Sequence, residues 1–373
     1  MKKIVVLGSL ALSLTNFRYQ MLETMVKCGF EVIACAPHAS NDIIKKLELI
    51  GVKYRHVALE NTGLNPFKDV LNCWKMSRTF KNINPDYILS YTMKPVIYGS
   101  LAARIAGINN IYSMITGLGY GFTSSTVKAK IVGFIMSNLL RIALYFNNSV
   151  FFQNPDDIKF FKKRAILKDT RKIKLINGSG VNLDFYKKTP LPAKPSFLLI
   201  ARLIKDKGIN EYVNAARIVK KQFPDIKFNL AGWIDNNPSS ITKETLDLWT
   251  KEGIIDFLGM LDDVRPAIQN CSVYVLPSYR EGTPRTVLEA MSIGRAIITT
   301  DAPGCRETVK DGENGFLVPV KDHLYLADKM IELINSPNKL FEMSEKSYIL
   351  ATDKYDVHKV NAMIMKNMGL EQV

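Results

Sequence analysis

The chain of 373 residues has no C-x-x-C pair, no H-E-x-x-H, no Walker A loop, no G-x-G-x-x-G and no Asp-x-Asp. The usual signatures of thiol redox centres, zinc proteases, P-loop nucleotide enzymes and dinucleotide-binding dehydrogenases are thus missing. Cysteine is sparse and odd in number (Cys28, Cys35, Cys73, Cys271, Cys305), which fits a reducing compartment and buried thiols rather than a disulfide framework. The four histidines, His38, His56, His323 and His358, show no metal-ligand spacing. No apolar run reaches the ~20 residues that span a bilayer. The nearest approach, residues 131–146 beside Lys128 and Lys130, is interrupted by Asn138 and Arg141, and reads as a core helix or one lying in a membrane interface. Met1-Lys2-Lys3 and the apolar stretch after it resemble a secretory leader. The turn, helix and second apolar run that follow favour the opening of a βαβ unit instead.

Acidic residues are scarce in one half only. Residues 1–190 carry 27 Lys/Arg against 11 Asp/Glu, whereas residues 191–373 carry 23 against 24. The densest basic cluster is Lys159, Lys162, Lys163, Arg164, Lys168, Arg171, Lys172 and Lys174, with Asp169 the only acid inside it. Such a face attracts nucleic acid, anionic lipid or a phosphorylated substrate, or is simply solvated. The asymmetry suggests two domains with different partners.

Short apolar runs at 31–37, 52–57, 86–90, 110–115, 148–153 and 172–176 alternate with helical stretches near 66–82, 95–107, 124–146 and 155–165. Thr15 and Asn16 can cap a helix that runs to Cys28. Pro190, Pro192 and Pro195 read as a linker. The rhythm then restarts with strands at 196–200, 226–231, 254–257, 273–276 and 296–299 and helices at 207–222 and 240–252. The fold class expected is α/β, two tandem Rossmann-like doubly wound parallel sheets with a ligand cleft at the carboxyl ends of the strands. The boundaries expected are 1–189 and 190–350, with 351–373 a final helix.

Two constellations carry chemistry. Arg202 ends the first strand of the second half and Lys207 opens the following helix. Two cations and free backbone N–H groups there suit a diphosphate. Further on, Pro277-Ser-Tyr-Arg-Glu281-Gly-Thr-Pro284-Arg-Thr-Val-Leu-Glu289-Ala290 follows an apolar strand, with Pro284 suited to the first turn of a helix. Glu281 would sit in the loop and Glu289 on the helix, where carboxylates can accept from sugar hydroxyls, or be an ordinary loop acid and a solvated helix acid.

Arg202 with Lys207, the E-x7-E pair in EGTPRTVLEA, and Asp311-Gly-Glu-Asn-Gly-Phe-Leu-Val318 resemble the retaining glycosyltransferases of family 4, which have the GT-B fold. The resemblance extends over nearly the whole chain through Ser90-Tyr-Thr-Met-Lys-Pro95, Thr116-Gly-Leu-Gly-Tyr-Gly-Phe122 and Asn177-Gly-Ser-Gly-Val-Asn182, and points to the bacterial branch that extends sugars on undecaprenyl diphosphate. It implies a UDP-sugar as donor substrate, a lipid-linked saccharide acceptor, and an anionic membrane surface beneath the basic domain. No nucleic-acid partner, cofactor or metal is implied, and the expected location is the cytoplasmic face of the cell membrane. Carried over residue by residue, it implies that Arg202 and Lys207 hold the donor diphosphate, Glu281 the sugar and Glu289 the ribose. Gly282, Thr283, Pro284, Arg285 and Thr286 would line the sugar and phosphates, Gly8 and Ser9 would approach the phosphates, and Leu258 and Gly259, up to Met260, would cradle the base. Arg202, Lys207 and Glu281 would be catalytic. Arg18, Lys94, Thr116 and Gly117 would meet the acceptor. Many relatives carry a histidine where this chain has Met93 beside Lys94, so Lys94 or Met93 stands in its place. By the same analogy the last helix crosses back to the first domain. Two other classes remain at this stage: a nucleotide-sugar epimerase of the same fold, which would turn over donor without acceptor, and a basic nucleic-acid-binding protein, for which stacking aromatics near the 159–174 cluster are limited to Phe160 and Phe161.

Overall fold

The computed structural model describes residues 1–59, 66–119, 122, 126–235, 237 and 239–370. Tyr120 and Gly121 of the Thr116–Phe122 motif, residues 124 and 125 of the expected helix, and the Lys128 side chain lie outside the described residues. The chain divides into two compact units, Met1–Ser179 with Val357–Val373, and Gly180–Asp356.

In the first unit the strands are β1 (Lys3–Leu7), β2 (Glu31–Ala36), β3 (Lys53–His56), β4 (Tyr87–Tyr91), β5 (Asn110–Ile115), β6 (Ser149–Phe152) and β7 (Ile173–Leu175). All pairs are parallel and the order is β3-β2-β1-β4-β5-β6-β7. The central strands are buried along nearly their whole length, which is why they read as unbroken apolar runs rather than alternating ones. The final helix, Val357–Met368, belongs to this unit and buries Val360, Ile364, Met365 and Met368 in its core.

The second unit restarts with β8 (Ser196–Ile200), β9 (Lys227–Ala231), β10 (Asp256–Phe257), β11 (Val273–Leu276), β12 (Ala296–Thr300) and β13 (Gly315–Val318). These are again parallel, in the order β10-β9-β8-β11-β12-β13. Each sheet has one place where the strand order reverses, between β1 and β4 and between β8 and β11. The crevice outside the carboxyl ends of the strands opens there.

Several expectations change in detail. Thr15 and Asn16 are not a cap: one helix spans Ala11–Phe17 and a second, Tyr19–Lys27, with the break at Arg18. Arg18, at the break, is buried with its guanidinium 4.9 Å from the Tyr91 ring centre, while Ala11 and Leu14 of the first helix are drawn into the core. The helix expected over 95–107 begins as a π-turn, Pro95–Gly99, and is α-helical only over Ser100–Ile105. The proline-rich stretch at 190–195 belongs to the second unit, and the chain passes between units at Ser179–Gly180. Arg295 explains why that stretch is held. Its fully buried guanidinium donates to the carbonyls of Thr189 and Pro190 and to those of Ile268 and Gln269, so the segment is tied into the unit. The thiols of Cys35, Cys271 and Cys305 are buried and pushed up to about 12 by desolvation, as small apolar groups should be.

Candidate functional site

The crevice of the second unit is built by two close backbone approaches that only glycine permits. Gly208 lies in the left-handed region (φ +71°), and a Cβ there would overlap the carbonyl oxygen of Pro277. The turn Lys205–Lys207, just after β8, is thereby pressed against the loop that leaves β11. The amide of Tyr279 donates to the Asp206 carbonyl (2.9 Å) and closes the same junction. Gly304 (φ +80°) packs equally close to the backbone of Glu281 and Gly282, whose loop is held by the Glu281 amide on the Pro303 carbonyl (2.9 Å).

These approaches put Lys207 Nζ on Glu281 Oε1, although the two are 74 residues apart. The same carboxylate oxygen accepts from Ser278 Oγ at 2.7 Å. An ammonium has three donors and Glu281 takes one. Lys207 precedes the helix Ile209–Gln222 in a short 3₁₀ turn and does not sit inside its first turn. Arg202 lies two residues beyond β8. It is half exposed (47%), and its Nη1 is 3.2 Å from Asp235 Oδ2, a surface pair weak enough to exchange for an anion. Gly232, whose Cβ would overlap the Ala201 carbonyl oxygen, brings the Asp235 loop to this strand end.

Glu289 sits on the helix Arg285–Ile293 and is only 6% exposed, so it is no solvated helix acid. Pro284 is the residue just before that helix rather than in its first turn. Glu289 Oε1 accepts from Tyr186 Oη (2.8 Å) and Arg285 Nε (2.9 Å). Burial raises the Glu289 carboxyl above its ordinary value, and Arg285 and Tyr186 oppose that rise. Burial, with the negative charge of Glu289 next, pushes the Tyr186 phenol up and keeps it a donor. Thr286 lies one turn earlier on the same helix, and the Tyr274 hydroxyl donates to the Ile200 carbonyl (3.0 Å) at the end of β8. On the far side of β9, Leu258 (40% exposed) and Met260 flank Gly259, whose carbonyl accepts from the Gly232 amide at 2.8 Å. An open apolar ledge with free edges suits a planar base.

In the first unit Gly8 and Ser9 follow β1 and Thr92 to Lys94 follow β4, so these two motifs flank the corresponding reversal of strand order, while Thr116 and Gly117 follow β5, one strand further on. A Cβ at Gly8 would overlap the Tyr91 hydroxyl, which shares a 2.7 Å hydrogen bond with Ser13. Thr92 holds a left-handed backbone (φ +69°) rare for a β-branched residue and donates to Ser9 Oγ at 3.0 Å, a local strain at the strand ends. Lys94 Nζ pairs with buried Asp69 at 3.3 Å, and Tyr98 donates to the other Asp69 oxygen at 3.0 Å.

Sequence reasoning missed Tyr186, Ser278 and Asp235 as partners of the site. The turn that delivers Tyr186 is capped by Asn182 Oδ1, which accepts from the amides of Asp184 and Phe185; that asparagine was the only signal in the sequence.

Two family descriptions match the chain: glycosyl transferases group 1 over residues 184–349, and glycosyl transferase 4-like over residues 18–154. The N,N'-diacetylbacillosaminyl-diphospho-undecaprenol alpha-1,3-N-acetylgalactosaminyltransferase of Campylobacter jejuni is 30% identical over 342 residues, 88% of each chain. The UDP-Gal:alpha-D-GlcNAc-diphosphoundecaprenol alpha-1,3-galactosyltransferase of Escherichia coli is 25% identical over 274 residues, 70% of this chain and 69% of that one. Among solved structures, Anabaena HepE in complex with UDP and glucose superposes with a TM-score of 0.80 over 99% of this chain and all of that one, at 17% identity, which bears on the fold alone.

Proposed function

We propose a reaction from one premise: the chain is a glycosyltransferase and belongs to family 4, with the GT-B fold. In this reading it transfers a hexose or N-acetylhexosamine, with retention, from a UDP-sugar to a saccharide borne on a lipid diphosphate. The observation that carries it is the convergence of Arg202, Lys207 and Glu281 on the strand-order reversal of the second unit. Lys207 and Arg202 hold the diphosphate, exchanging part of their present carboxylate pairing for phosphate oxygens. Glu281, oriented by Ser278 and Lys207, accepts from a hydroxyl of the donor sugar, and Glu289, oriented by Tyr186 and Arg285, accepts from the ribose.

As the bond from C1 of the sugar to the diphosphate oxygen lengthens, negative charge grows on the phosphate. Fixed cations stabilise that state more than the ground state. The acceptor hydroxyl attacks the same face, its proton passes to the departing phosphate oxygen, and the new glycosidic bond keeps the anomeric configuration. Two side-chain cations and the amides at the start of the helices Ile209–Gln222 and Arg285–Ile293 neutralise the leaving group without a metal ion. The basic first unit takes the acceptor beside an anionic membrane surface, with Lys94, Thr116 and Gly117 nearest the loops that would receive it.

A panel of nucleotide sugars offered with a prenyl-diphosphate-linked sugar, read by mass spectrometry with and without a chelator, tests every part. Mass transfer to the acceptor, undiminished by the chelator, is expected. Donor turnover that needs no acceptor would instead mark an epimerase and overturn the reading.

A further inference from the structure

We propose that Tyr279 and Glu211 are positioning residues whose shared hydrogen bond sets where Lys207 stands against Glu281, and so how the donor diphosphate is gripped. This inference rests on the reaction proposed above and adds to it two residues that act through Lys207. Glu211 lies in the first turn of the helix Ile209–Gln222. Tyr279 lies on the loop that leaves β11, next to Ser278 and two residues before Glu281. Its hydroxyl donates to Glu211 Oε1 at 2.7 Å, although the two residues are 68 apart in sequence. Its amide donates to the Asp206 carbonyl at 2.9 Å. One tyrosine therefore fastens this segment at the residue just before Lys207 and again four residues after it. Lys207 is held between those two points, and its own bond to Glu281 is the third tie between the same turn and the same loop.

The other tasks open to Glu211 are excluded by its surroundings. A glutamate at the third position of a helix often caps the amide of the residue before the helix. Here the Gly208 amide already donates to the Lys205 carbonyl (2.9 Å). Among the described residues Glu211 Oε2 accepts no hydrogen bond and is shielded from solvent, an arrangement that opposes folding. A carboxylate one turn from Lys207 also opposes the approach of a polyanion. Holding Tyr279 is the contribution that offsets both. The tyrosine ring is restrained in turn: Lys321 Nζ lies 5.1 Å from its centre, on a residue with left-handed backbone (φ +67°). Burial, then the bond to Glu211, raises the phenol above its ordinary value, so it stays a donor across the neutral range. The ammonium is thereby presented to the diphosphate in one place.

Double-variant cycles on the full chain test this with two readouts, UDP affinity by calorimetry and transfer from whichever nucleotide sugar of the panel the parent uses. UDP carries the full charge that the leaving group develops, so its affinity reports how well Lys207 is placed. Tyr279→Phe should weaken UDP binding and lower kcat by about tenfold each, with KM for the acceptor and the thermal midpoint close to those of the parent. In a Lys207→Ala background the same change should add little. Glu211→Ala should match Tyr279→Phe, whereas Glu211→Gln, whose amide oxygen still accepts from the tyrosine, should stay close to the parent. Tyr279→Phe behaving like the parent would overturn the proposal, as would an equal loss with and without Lys207, the mark of a merely structural role. Glu211→Gln falling as far as Glu211→Ala would overturn it too, by assigning the effect to charge. A parent that binds UDP yet transfers no sugar would strike the proposed reaction, while the cycle on UDP affinity would still judge the positioning pair.

Discussion

In the second unit, the strand ends at the order reversal are crowded with compensated charge: Lys207 on Glu281, Arg285 on Glu289, Arg202 on Asp235. At the equivalent place in the first unit, the contacts described are mostly neutral, between Gly8, Tyr91, Ser13, Ser9 and Thr92, with an ion pair of Lys94 on Asp69 beside them. Yet the first half of the sequence carries the large positive excess. The same topology thus serves two electrostatic purposes. One unit concentrates paired cations at a point, ready for a compact polyanion. The other spreads its surplus of cations over exposed positions such as Lys162, Lys163, Arg164 and Lys168, where their field is diffuse.

The sharpest break of this contrast is Lys207→Ala. Removing a fixed cation aimed at developing phosphate charge should lower turnover by about 100- to 1,000-fold, with Arg202→Ala also strongly impaired and thermal unfolding nearly unchanged in both. Near-normal kcat in both variants would remove the point-charge role. Next in size, Lys94→Met strands Asp69 in a buried position and should cost about 3 kcal/mol of stability in denaturant unfolding. Adding Asp69→Asn should restore much of that loss, since the ion pair there is structural compensation. A third variant, Gly208→Ala, meets both the left-handed backbone and the Pro277 carbonyl. It should exceed the ~1 kcal/mol expected for Gly253→Ala, where φ is also positive (+66°) but no atom lies within 4 Å. Comparing the two midpoints isolates the steric part, and equal midpoints would show that the loop yields.

The smallest effect is a pH dependence. Burial holds the native Glu289 carboxyl above its ordinary value of 4.5, so the folded chain takes up that proton before the unfolded chain does. Stability from this group should therefore rise as pH falls from the raised native value toward 4.5 and level off below it. Glu289→Gln should flatten that part of the curve of Tm against pH, and an unchanged curve would assign the slope elsewhere.

Much of the fold was legible because both sheets are parallel and covered on two faces. Strands such as Ile4–Leu7 and Val273–Leu276 are buried throughout and announce themselves as continuous apolar runs. What misled was local polar chemistry. Thr15 and Asn16 have the right side chains for a cap, yet they lie within a helix that starts at Ala11 because Ala11 and Leu14 are drawn into the core. The prolines at 190–195 look like a linker until Arg295, a hundred residues on, is seen to grip the adjoining carbonyls. Of the site, Arg202, Lys207, Glu281 and Glu289 were named from motif and resemblance. Tyr186, Ser278 and Asp235 were not: Tyr186 and Asp235 reach their partners from 103 and 33 residues away, and Ser278, though inside the quoted motif, shows only in the folded loop that it donates to Glu281.

Alone, then, the order of amino acids determined the alternation of strands and helices, the two-fold repetition of the α/β pattern and the uneven charge, because periodic burial and composition are written locally. Only the folded chain decided which side chains meet. Strand order brings residues far apart in sequence to a common crevice, and the close backbone approaches at Gly208, Gly232 and Gly304 set which partner each charge receives.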